Sequence, residues 1–192
     1  DLDRCLRLID AAHAAGADVV KFQCYSPAEL VALRGDGPAP DPWGAQGWTM
    51  ARLYETARTP FAWFPTLAAH CAGRGIPWFS SVFGPESLAV LEAVGCPAYK
   101  IARLDNQSLP LLRGIAAMEK PIVVSESRRA QALTATADLR LYCPPGYPQT
   151  HFALPRFSGT SHFGGFSFHG TDPLPCVVAA TLGANLIEAH VQ

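Results

Sequence analysis

The chain of 192 residues is 49% hydrophobic and 16% charged, enough for one domain with a sizeable core and too apolar for a disordered chain. Its net charge of −1 gives no broad field toward nucleic acid or an anionic membrane, and no apolar run approaches the ~20 residues of a membrane-spanning helix. Six cysteines at 5, 24, 71, 96, 143 and 176 include no Cys-x-x-Cys pair and read as reduced thiols of a cytoplasmic protein.

Leu2, Leu6, Leu8, Ile9 and Ala12 recur at helical spacing, with Gly16 as the stop. Residues 19–24 then read as a strand, and 34–48, rich in Gly, Pro and Trp, as a long loop. Helices are predicted over 49–57 and 66–72, a strand over 76–82, a helix over 86–94 and a strand over 98–102. A helix over 109–118, a strand over 122–125, a weak helix over 128–138 and a strand over 139–143 follow. Residues 144–165 are Pro/Gly/aromatic loop, before a strand over 165–169, a helix over 175–182 and a last strand over 185–190.

Strands and helices thus alternate, with short apolar strands and no two-residue hairpin, which argues for parallel strands joined by crossover helices. Seven strands are predicted, and the chain opens on a helix that needs a strand before it. The expected fold is an α/β (β/α)₈ TIM barrel, one domain over residues 1–192, with its first strand upstream of Asp1. A doubly wound sheet is the runner-up. Both ends look cut, so the chain reads as a fragment of a longer protein.

Barrel enzymes take their functional groups from the C-terminal ends of strands. Here those ends carry Lys21 and Gln23; Ser80 and Ser81; Lys100; Ser125 and Glu126; Tyr142; Ser167 and His169; Glu188 and His190. An unpaired lysine inside a strand is costly to bury. Two lysines at corresponding strand ends favour a bound anion such as phosphate, with serine hydroxyls as further donors. The plainer alternative is a buried carboxylate partner, Asp105 or Glu126. His169 and His190 end adjacent predicted strands ~5 Å apart, so both imidazoles can reach one divalent ion; the plainer alternative is two ordinary packed histidines. His13, His70 and His151 read as structural, and His162 lies in a loop that covers the mouth, without a role. Gly165–His169 only approaches Gly-x-Ser-x-Gly, no phosphate-loop glycine motif occurs, and Trp43, Trp48, Trp63 and Trp78 read as packing residues.

The ordered set GADVVKFQCY, GIPWFSSVF, GCPAYKIARLDN, KPIVVSES, LYCPPGYP, GFSFHG and LGANLIEAHVQ resembles the N-acetylneuraminate (sialic acid) synthase family over nearly the whole chain. The resemblance implies a TIM-barrel transferase that condenses phosphoenolpyruvate with an N-acylated amino sugar, N-acetylmannosamine or a bacterial relative. The products are a nine-carbon sialic-type acid and phosphate. It also implies a divalent ion, Mn²⁺ or Mg²⁺, and a homodimer, with no nucleic acid or membrane partner. Lys21 and Lys100 match lysines that hold phosphoenolpyruvate. Gln23 matches a polar position of the same pocket, and Ser81 and Ser167 match phosphate-contacting hydroxyls. Tyr147 matches a sugar-site tyrosine, and His169 and His190 match the metal ligands. Arg103, Asp105 and Ser125 complete the expected substrate-binding set.

Several positions depart from the family. A serine is usual at Arg103, a glutamate at Asp105, an asparagine at Pro145, an aspartate at Phe168 and a Thr-Gly pair at Glu126-Ser127. Arg103 can take over phosphate binding. Pro145 offers no side-chain hydrogen bond, and Phe168 removes a charged neighbour of His169. Glu126 is expected to oppose the anion unless Arg103 or Arg128 neutralises it. The family's upstream acidic and Asn-His strand and its C-terminal antifreeze-like domain fall outside the sequence. The alternatives are a diverged, non-catalytic sugar- or anion-binding barrel in polysaccharide biosynthesis, and another phosphoenolpyruvate-condensing synthase of the 3-deoxy-sugar acid type.

Overall fold

The computed structural model describes residues 1–127, 137–146, 148–149, 153–157 and 161–191. The chain forms two compact units, Asp1–Tyr99 and Lys100–Gln192.

In the first unit, α1 (Leu2–Ala14) starts where the Asp1 carboxylate accepts from Arg4 N at 2.7 Å. Its apolar face, with Leu2, Cys5, Leu6 and Ile9, packs on Leu67 and Cys71 of α4 (Phe64–Arg74) and on Val20, Phe22 and Trp78. That covers one face of β1 (Val20–Cys24) and β2 (Trp78–Val82), which pair in parallel with Val20 beside Trp78. Between them lie α2 (Pro27–Arg34) and α3 (Met50–Ala57). The sequence reading passed over α2. Its signals are Pro27 in the first turn and a reciprocal cap between Ser26 and Glu29. α4 starts two residues ahead of the expected 66, again with a proline in its first turn. α5 (Pro85–Ala93) leads to β3 (Tyr99–Ile101), which crosses the boundary between the units.

The second unit holds α6 (Leu109–Ala116), β4 (Ile122–Glu126), β5 (Leu139–Tyr142), β6 (Gly165–Phe168), α7 (Leu174–Thr181) and β7 (Leu186–Ala189). β4, β5, β6 and β7 pair in chain order, all parallel. Phe157, Phe163, Phe166, Phe168 and Ala179 form the core against α7, with Tyr142 and Cys176 beside them. Burying each of these phenylalanines contributes about 1.5–3 kcal/mol. The expected helix over 128–138 falls largely outside the described residues. Among the described residues, no helix is long and apolar enough to cross a membrane.

Candidate functional site

In the first unit the β1–β2 register sets Gln23 beside Ser81, two residues beyond the Lys21–Phe79 pair. Lys21 Nζ leans toward the strand end and donates to Ser81 Oγ at 3.4 Å. Ser81 is buried, whereas Gln23 is exposed. The turn after Ser81 is held by a buried carboxylate that sequence reasoning missed. Glu29 accepts from Ser26 N and Ser87 N at 2.9 Å each and from Ser87 Oγ at 3.2 Å. The Ser87 hydroxyl in turn accepts from Phe83 N and Gly84 N at 3.2 and 3.1 Å. The Ser-x-x-Glu spacing at 26–29 was the legible signal.

In the second unit Lys100, 2% exposed, is likewise paired with a serine. Its Nζ donates to Ser125 Oγ at 2.7 Å and to Ile101 O at 3.2 Å, and lies 3.3 Å from Glu188 Oε2. Glu188 is thus one carboxylate that compensates the buried ammonium. Asn106 Nδ2 donates to Ser125 O at 2.9 Å and ties the loop after β3 to β4. Asp105 is buried in that loop, where its N–H donates to Ala102 O at 3.0 Å, and Arg103 is half-buried.

His169, Glu188 and His190 place one ligand atom each within 4.8 Å of one another. The two imidazoles stand edge to face, centroids 4.6 Å apart. Glu188 and His190 are two residues apart, so a strand directs both to one face; His169 arrives from the neighbouring strand, where Ser167 pairs with Glu188. Two imidazoles and a carboxylate suit a divalent first-row ion with open positions. Sequence reasoning found the histidines and missed Glu188 as their companion, although Glu-x-His at strand period was in view. Ser167 is fully buried; its Oγ lies beside the Cys143 sulfur and has no nitrogen or oxygen partner among the described residues. Burial pushes the Cys143 thiol up, against the Ser167 hydrogen bond and the Lys100 and Arg103 charges. Tyr147 lies outside the described residues, as does Arg128.

The expectation for Glu126 is corrected. Its carboxylate meets His162 Nε2 at 2.8 Å and Arg140 Nε at 3.8 Å. Neighbouring strand residues point to opposite faces, and Ser125 takes the face that meets Lys100. Glu126 therefore stands on the other face, where it meets His162 and Arg140 instead of confronting an anion. Phe168 is likewise a core residue, stacked on Phe166 at 5.6 Å, two positions along the strand.

The NeuB family model matches residues 8–135. The chain belongs to the NeuB family. It is 31% identical to pseudaminic acid synthase of Helicobacter pylori, an alignment that covers 99% of this chain and 61% of the relative. It is 29% identical to spore coat polysaccharide biosynthesis protein SpsE of Bacillus subtilis, over 98% of this chain and 55% of that protein. The chain thus spans little more than half the length of these curated relatives. The crystal structure of N-acetylneuraminic acid (sialic acid) synthetase from Leptospira borgpetersenii superposes with a TM-score of 0.81 at 23% identity, over 100% of this chain and 68% of that one. That likeness gives this NeuB-family chain a TIM-barrel-like fold, as the alternation of its elements led one to expect.

Proposed function

We propose that this NeuB-family chain is part of a transferase that condenses phosphoenolpyruvate with an N-acylated amino sugar, giving a nine-carbon sialic-type acid and phosphate. The observation that carries the reading is the contact of Lys100 with both Ser125 and Glu188, since Glu188 also belongs to the His169–His190 cluster. An anion-binding lysine and a metal-suited triad thereby share one carboxylate. The pseudaminic acid synthase among the relatives favours a sugar of the bacterial kind over N-acetylmannosamine itself. The imidazole-rich donor set favours Mn²⁺ over Mg²⁺. A homodimer belongs to the same proposal, on the family resemblance.

In the reaction the enol carbon of phosphoenolpyruvate bonds to the aldehyde carbon of the open-chain sugar, a water is consumed, and phosphate leaves. His169, Glu188 and His190 would hold the ion, which supplies Lewis-acid polarisation of the aldehyde when bound. Lys100 and Ser125 offer charge and hydrogen bonds to an anionic oxygen, and their pairing keeps them oriented before substrate arrives. The Lys21–Ser81 pair has the same chemistry, and Arg103 offers a guanidinium. The buried Ser167 hydroxyl is available to a substrate oxygen. The placement of the Glu126 side chain on the strand face opposite Ser125 favours retained catalysis over a diverged binding barrel, because it turns the added charge away from Lys100.

The test is phosphate release from phosphoenolpyruvate with Mn²⁺ across a panel of N-acylated amino sugars, with His169→Ala and Lys100→Ala alongside. Sugar-dependent release that both variants lose is expected. No release with any sugar, from folded protein that binds Mn²⁺, would overturn the synthase reading in favour of the binding barrel.

A further inference from the structure

We propose that Gln149 is a positioning residue for His169, and through it for the divalent ion; the inference rests on the metal reading above. His169 follows the last residue of β6, and the ladder to β7 ends at the Phe168–Ala189 pair. A metal ligand just past the end of a strand has no sheet partner of its own to fix its backbone. Gln149 supplies one. Its N–H donates to His169 O at 3.2 Å, and its side-chain Oε1 accepts from His169 N at 2.9 Å. Both polar groups of the His169 backbone are thus held by one residue.

The other end of the amide is committed as well. Nε2 donates to Pro144 O at 2.6 Å and reaches the Cys143 sulfur at 3.8 Å. An N–H donor on one side and a carbonyl on the other leave one orientation for this amide. Gln149 is 5% exposed, so these bonds form out of water, where breaking them costs most. The close approach depends on Gly170, because a Cβ there would fall 2.6 Å from Gln149 O. The Cys143 sulfur, under the same amide, lies 3.9 Å from His169 Nδ1. Outer partners that orient metal ligands typically cost 10–100-fold in affinity when lost, and Gln149 would act in this way through the His169 backbone.

The experiment is Mn²⁺ titration followed by calorimetry and by electron paramagnetic resonance on wild type, Gln149→Met and His169→Ala. Gln149→Met keeps the length of the side chain and removes its hydrogen bonds. It is expected to bind Mn²⁺ roughly 10–100-fold more weakly, with an altered Mn²⁺ spectrum. Exchange of the His169 amide in metal-free wild type gives a second readout that needs no variant, and slow exchange is expected. Mn²⁺ affinity in Gln149→Met within twofold of wild type, while His169→Ala loses it, would overturn the positioning role and leave the metal reading standing. A lowered melting temperature with unchanged affinity and spectrum would do the same, as would rapid exchange of the His169 amide. A wild type that binds no Mn²⁺ would overturn both.

Discussion

The ammonium of Lys100 lies 3.3 Å from the Glu188 carboxylate, and Glu188 stands within 4.8 Å of the ligand atoms of His169 and His190. One buried carboxylate thus compensates a buried cation and completes a metal-suited triad. Removing it is expected to damage both. Glu188→Gln keeps the shape and deletes the charge that faces the Lys100 ammonium. Breaking such a buried pair costs about 3 kcal/mol, to be read from urea unfolding in the presence of a chelator. An unchanged midpoint would mean that the pair is not buried in solution.

The same geometry links metal to anion. A divalent ion on Glu188 draws its charge away from Lys100, which then has more to offer a phosphate or carboxylate. Phosphoenolpyruvate is expected to bind on the order of tenfold more tightly with Mn²⁺ than after chelation, and Mn²⁺ to gain by the same factor from phosphoenolpyruvate. Calorimetry measures both. Direct contact between ion and phosphate would also give coupling, so Glu188→Gln is the control. Coupling that survives in that variant excludes Glu188 as the link.

The alternation of short strands and helices was legible because parallel pairing leaves a plain trace, and the strand ends followed from it. Lys21, Lys100, Ser125, His169 and His190 were singled out because polar residues in apolar strands stand out. Glu188 was not singled out, since its role depends on which neighbour reaches it across the sheet. Gln149 was invisible for a related reason: its value lies in meeting both backbone groups of a residue 20 positions away. Glu126 was expected to oppose the anion unless an arginine neutralised it, although strand alternation from Ser125 already turns its side chain to the other face. The helix α2 was lost because its eight residues carry no clear apolar stripe and only its cap announces it.

The first unit carries its own pH signature. Burial pushes the Tyr25 phenol up to about 12, and its hydroxyl donates to Tyr54 O at 3.2 Å. A raised folded value means that the folded state keeps its proton after the unfolded chain has lost it. The contribution is full below the ordinary value of about 10 and is lost as pH rises toward about 12. Urea midpoints across that alkaline window are expected to fall more gently in Tyr25→Phe than in wild type. Parallel curves would mean that the phenol ionises without cost to the fold.

Glu126 gives the sharpest separation between the two faces of one strand. Its carboxylate is 4% exposed at the side chain, bonded to His162 at 2.8 Å and set 3.8 Å from Arg140. Ser125, the adjacent residue, meets Lys100. Glu126→Ala leaves His162 and Arg140 without their shared carboxylate and is expected to lower stability by roughly 2–3 kcal/mol. Because the lost contacts lie on the face away from Lys100, phosphoenolpyruvate and Mn²⁺ affinities of the folded variant are expected to stay within about twofold of wild type. Ser125→Ala should do the reverse, weakening the anion and costing less stability. Calorimetric titration of both variants decides the matter. A tighter anion in Glu126→Ala would return Glu126 to the anion-facing side and restore the objection that its charge opposes phosphoenolpyruvate.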